Sequence, residues 1–154
     1  MNRSIRATTI AVFLRHAAAA LALAPVAAPV AAHDYYTPHF QIIHPWTDPA
    51  AAGTQRLGLY MRFAQVEADD LLLSASSPVA EAIELRAPPT AETGPVRTKA
   101  VALRRGVDVE LEPEGMHFVM RNLRKDLPFG SQHPLVLVFE KAGRVEIEFV
   151  VGSD

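Results

Sequence analysis

Cysteine is absent from all 154 residues. That excludes a disulfide framework, thiolate metal sites and thiol redox chemistry. It also leaves no lipobox cysteine to carry a lipid anchor. A soft metal would have to be held by histidine and methionine, of which the chain has six and four. An excess of positive charge is missing too. Residues 1–32 contain Arg3, Arg6 and Arg15 but no acid, so beyond them 12 Lys and Arg face 17 Asp and Glu, a formal net charge of −5. Such a chain lacks the basic face that nucleic acid requires. No glycine-rich phosphate loop and no zinc-hydrolase helix motif occurs, and the serines of SASSP (Ser74, Ser76, Ser77) have no nucleophile-elbow glycines around them. Nothing here points to an enzyme. The adjacent acids Asp69 and Asp70 read as a solvated turn.

Long apolar runs are equally scarce. The one candidate, AAAALALAPVAAPVAA (17–32), is short and broken by Pro25 and Pro29, which argues against a membrane span. It follows the basic start MNRSIRATTIAVFLRH and ends in Val30-Ala31-Ala32. Those are the marks of a secretory signal peptide cleaved before His33, leaving residues 33–154 as one exported domain.

What the rest does have is a period of two. Short alternating runs separated by proline and glycine predict strands at Phe40–His44, Leu57–Phe63, Leu71–Ser74, Ala82–Arg86, Thr98–Leu103, Val107–Leu111, Met116–Leu123, Pro134–Phe139 and Arg144–Val151. In the last, Val145, Ile147 and Phe149 alternate with Glu146 and Glu148, one face buried and one wet. KAG joins it to PLVLVFE, with Gly143 able to take the left-handed turn. One helical turn is expected around Pro78–Ala82. The class is all-β, a sandwich or barrel.

Of the histidines beyond the signal, His44 in HPW reads as a strand-end corner packed by Trp46, and His133 as a loop residue before a strand. His33, once amino-terminal, could chelate Cu(II) through its amine and imidazole, with His39 nearby. His117 sits in EGMHFVMRNL between Met116 and Met120. Imidazole with thioether suits Cu(I), yet strand alternation puts His117 and Val119 on one face and Met116, Phe118 and Met120 on the other.

Several segments together, AHDYYTPHFQIIHPW, RLGLYMRF, LLSASSPVAEAIELR, GVDVELEPEGMHFVMRNL and PFGSQHPLVLVFEKAGRVEIEFVV, resemble the periplasmic copper chaperones called PCu(A)C. The resemblance implies a cupredoxin-like Greek-key β-sandwich, a periplasmic location and handling of copper, as Cu(I) rather than Cu(II). It also implies delivery toward the binuclear centre of cytochrome c oxidase or its assembly factors. In that family two histidines and two methionines hold the metal near one end of the sandwich. The pattern is a His after Glu-Leu, a Met some ten residues on, and later a His-x-Met pair.

Carried onto this sequence, the first histidine is Arg86. The first methionine falls in Gly94–Lys99, with Arg97 as occupant. The second histidine is His117, and the last methionine is Val119, with Met120 one place later. The expected metal set is therefore His117, Met120 and His33. A bulge at Phe118–Val119 would be needed to turn Met120 onto the His117 face, and Met61 is a further sulfur. The alternative is a non-metal interaction module in which Arg86 and Arg97 bind an acidic partner or small anion.

Overall fold

In the closing hairpin, alternation translates directly into structure. The computed structural model describes residues 34–88, 96–97 and 99–152; the expected signal segment 1–32 and His33 lie outside them. Among the described residues eleven strands are present: β1 Tyr35–Tyr36, β2 Gln41–Thr47, β3 Arg56–Ala64, β4 Asp70–Ser76, β5 Ala80–Ala87, β6 Val96–Arg97, β7 Val101–Leu103, β8 Val109–Leu111, β9 His117–Leu123, β10 Gln132–Phe139 and β11 Arg144–Val151. They hydrogen-bond in the order β6-β5-β9-β3-β2-β11-β10-β4-β7, with β1 on β2 and β8 on β3. Every pairing is antiparallel except β11 with β2. This curled path folds over one core as a cupredoxin-like β-sandwich, and the described residues contain no helix.

The core follows from strand parity. Leu59, Met61 and Phe63 of β3, Phe118 and Met120 of β9, Leu135, Leu137 and Phe139 of β10, and Ile147, Phe149 and Val151 of β11 all point inward and are buried. Phe40 and Phe63 meet Phe139 at ring separations of 4.8 and 6.0 Å, aromatic contacts that add to the burial itself. Gly143 takes φ 73° in the β10–β11 loop, as expected for a left-handed turn residue.

Four local expectations change. Around Pro78 the chain makes a turn closed by Ala80 N–H to Ser77 C=O at 3.3 Å and passes straight into β5; a single proline-led turn has too few hydrogen bonds to become a helix. The HPW segment is no strand end. β2 continues through it because the register shifts between Ile43 and Trp46, with His44 at φ 46°, an irregularity that absorbs Pro45. His133 lies within β10, 7% exposed, its Nε2 2.9 Å from Ser131 Oγ. Asp70 is not a solvated turn residue either. Its carboxylate is buried and accepts from the backbone N–H groups of Leu71, Lys141 and Ala142 at 2.8–2.9 Å, which ties β4 to the β10–β11 loop.

Candidate functional site

The strands β5, β9 and β3 present an outward face whose residues form a grid. Pairings of β9 with β5 and with β3, taken with alternation, set Arg86, His117 and Tyr60 in one row. Glu84, Val119 and Gly58 make the next, and Ala82, Arg121 and Arg56 the third. The first row extends at both ends. Arg97 of β6 pairs with Arg86, and Trp46 of β2 pairs with Tyr60. Of the copper-ligand pattern, positions 86, 117 and 119 thus fall at one corner of one face, and 97 is paired with 86.

Local packing orders the aromatic side of that corner. Tyr60 lies along its own strand over Gly58, so that a Cβ at Gly58 would collide with the phenol oxygen. The Tyr60 ring stands 4.6 Å from Trp46 and 6.0 Å from His117, centroid to centroid. Burial, then the Asp48 carboxylate, pushes the phenol above its usual range, so it remains a neutral hydrogen-bonding group. Val119 is 5% exposed despite facing outward.

His117 is half-buried, and its Nδ1 lies 2.9 Å from the carbonyl of Gly115. A carbonyl only accepts, so Nδ1 carries a proton, and in the neutral ring the lone pair sits on Nε2. A backbone carbonyl on one ring nitrogen is the support that orients a histidine for metal at the other. Beside it, Arg86 Nη2 donates to Glu84 Oε2 at 2.6 Å. Arg86 Nε is buried with no acceptor. The guanidinium cannot become a ligand, because it stays protonated.

The two described members of the sequence-derived set, His117 and Met120, are not brought together. The register of β9 runs unbroken from His117 through Met120 against β5 and from Phe118 through Arg121 against β3, so the bulge that would turn Met120 outward is absent. Met120 is fully buried in the core on the opposite face, Met61 is buried in the core as well, and Met116 packs against it. Their sulfurs fill space between aromatic and aliphatic side chains. His33 lies outside the described residues, and His39 is exposed in the turn before β2. Among the described residues no group of three or more His, Cys, Asp or Glu is placed to hold a metal ion. Of the four pattern positions only His117 supplies a donor. Sequence reasoning had missed Tyr60 as a neighbour of His117, and with it Trp46 on Tyr60 and Glu84 on Arg86. The Gly58–Tyr60 alternation in RLGLYMRF was the only local hint.

Comparisons with known proteins agree with this scaffold. The LpqE-like family, described as lipoprotein LpqE-like, matches residues 40–151, although these 154 residues contain no cysteine to which lipid could be joined. A copper-bound PCuAC domain from PmoF2 is similar at 28% identity and TM-score 0.68, covering 79% of this chain and 99% of that one. An apo PCuAC domain from PmoF1 is similar at 22% identity and TM-score 0.69, covering 79% and 100%. The CuI form of DR1885 from Deinococcus radiodurans shares the fold at 14% identity and TM-score 0.63, over 77% and 80%. No curated protein matches the sequence. The chain belongs to the LpqE-like family and is built on the cupredoxin-like fold of PCu(A)C copper-chaperone domains.

Proposed function

We propose that this protein is an exported copper carrier of the PCu(A)C type whose binding site has contracted to His117. Copper is its cargo, not a resident cofactor. Nε2 of His117 offers one neutral nitrogen lone pair on the outer face, and a single imidazole holds Cu(I) weakly enough to release it by ligand exchange. The observation carrying this reading is the Gly115 carbonyl on Nδ1, which leaves Nε2 as the ring nitrogen available to a metal in a histidine on the face where the ligand positions meet. The likeness to a copper-bound PCuAC domain supports it. Residues 1–32 act as a cleaved signal peptide in this reading, and delivery takes place in the periplasm. The acceptor is a copper centre such as that of cytochrome c oxidase or one of its assembly factors. His33, with its freed amine, is the proposed second donor set, whereas Met120 is removed from the site by its burial.

One observation favours the alternative of a non-metal module. Arg86 occupies the first ligand position, and its Nε lacks an acceptor. Imidazole nitrogen resonances separate the two readings. Added Cu(I) should shift His117 Nε2 while its Nδ1 proton stays bound to Gly115. Shifts confined to His33 would move the site to the amino terminus, and no shift at either histidine would reject copper carriage.

A further inference from the structure

Arg56 of β3 and Arg121 of β9 are direct cross-strand partners on the same outward face as His117. Arg56 is exposed and Arg121 half-buried. Among the described residues neither guanidinium forms an ion pair with an acid. The nearest row-mate on β5 is Ala82, which leaves room rather than charge. Carboxylates close by are engaged elsewhere: Glu81 accepts from Asn122 Nδ2 at 2.7 Å, and Glu84 from Arg86 at 2.6 Å. Like charges directly opposite each other weaken a sheet, so the pair is unfavourable in the isolated domain. It also stands in a chain that is acidic overall beyond its first 32 residues.

Two adjacent guanidinium forks suit carboxylates, which they bind bidentately. Arg121 lies four residues along β9 from His117, and Arg56 four along β3 from Tyr60, about 13 Å at the rise of a strand. We propose that the outer face of β5, β9 and β3 docks an extended acidic segment of a partner protein, with carboxylates on Arg56 and Arg121 and the segment running toward His117. A uniformly anionic membrane surface fits less well. Glu84 stands on the same face and Glu81 beside it, and headgroups would meet these acids as well as the arginines. A peptide places its carboxylates one at a time. This inference goes beyond copper carriage and does not rest on it.

The test uses the metal-free chain and a synthetic extended peptide with glutamate at alternate positions, against the same peptide with glutamine. Trp46, the one tryptophan in the chain, stacks on Tyr60 next to His117 and reports binding by fluorescence, with calorimetry alongside. The glutamate peptide should bind, more weakly as salt is added. The double variant Arg56→Gln/Arg121→Gln should lose about five- to tenfold in affinity, with a thermal midpoint unchanged or raised. A merely structural arginine pair would instead show a lowered midpoint and unaltered affinity. Equal binding of both peptides, binding of neither, or capture only by anionic phospholipid vesicles would overturn the proposal. None of these results depends on whether His117 binds copper.

Discussion

Arg86 and His117 are cross-strand partners on neighbouring antiparallel strands, side chains on one face. The position that the family pattern gives to a first histidine therefore lies directly beside the histidine that remains. Val119 follows His117 on the same face, opposite Gly58. Positions 86, 117 and 119 therefore share one face, which is what the proposed contracted site requires.

Restoring donors should restore affinity. Arg86→His removes a fixed cation and puts a second imidazole across from His117. Cu(I) affinity should rise at least about tenfold, and adding Val119→Met should raise it further. Competition with a chromogenic Cu(I) chelator measures both. An unchanged affinity in the double variant would mean that the corner no longer has ligand geometry.

Gly58→Ala tests the packing beside His117. The new methyl group would force the Tyr60 ring off its strand and away from Trp46. Overpacking of this kind costs about 1–3 kcal/mol. Chemical denaturation should show that loss together with a changed Trp46 emission. Wild-type stability and emission would contradict the described position of Tyr60.

Asp70 should govern acid stability. Burial raises its carboxyl, but the amide hydrogen bonds from Lys141, Ala142 and Leu71 outweigh burial and hold it below the usual aspartate range. A depressed carboxyl contributes stability that is present above its unfolded pKa and lost as pH falls through the folded one. Asp70→Ala should cost about 1–3 kcal/mol at neutral pH by leaving buried amides without acceptors. It should also flatten the acid limb of a stability–pH curve. An unaltered limb would remove Asp70 from this role.

His133 adds a second pH dependence, nearer neutrality. Burial, with Lys125 nearby, lowers its imidazole below the ordinary value, against a smaller opposing effect of Glu148. The neutral ring is thus the folded form. Stability is full above the ordinary imidazole range near about 6.5 and falls as pH drops toward the folded value. The denaturation midpoint should decline between pH 7.5 and 5.5, and His133→Gln should lose that dependence. A titration of the His133 ring above the ordinary range would reverse the sign and reject the argument.

Much of the architecture was legible because period-two alternation is local. The β10–β11 hairpin, the inward set of β9 and the outward placement of His117 with Val119 all follow from neighbouring residues. The missed strands, β1 and β6, span two residues each and have little pattern to read. The strand expected at Phe40–His44 is present as β2, but it runs on through a proline, with His44 in a left-handed conformation. The candidate site was legible only in part. Alternation already separated Met120 from His117, and the rescuing bulge fails because Phe118 and Met120 each find core space on the inward face. What no local pattern carries is which strand lies beside which. The pairs Arg86 with His117 and Arg56 with Arg121 arise from contacts far apart in sequence, as do the three amides that bury Asp70.

The central claim is that His117 is the copper donor left on this scaffold. A Cu(I) competition titration of the native chain against His117→Ala, with thermal midpoints recorded for both, tests it most directly. Measurable retention by the native chain and its loss in a variant of unchanged stability is the expected result. Equal retention by the two, or retention by the native chain no tighter than by denatured protein, would contradict it.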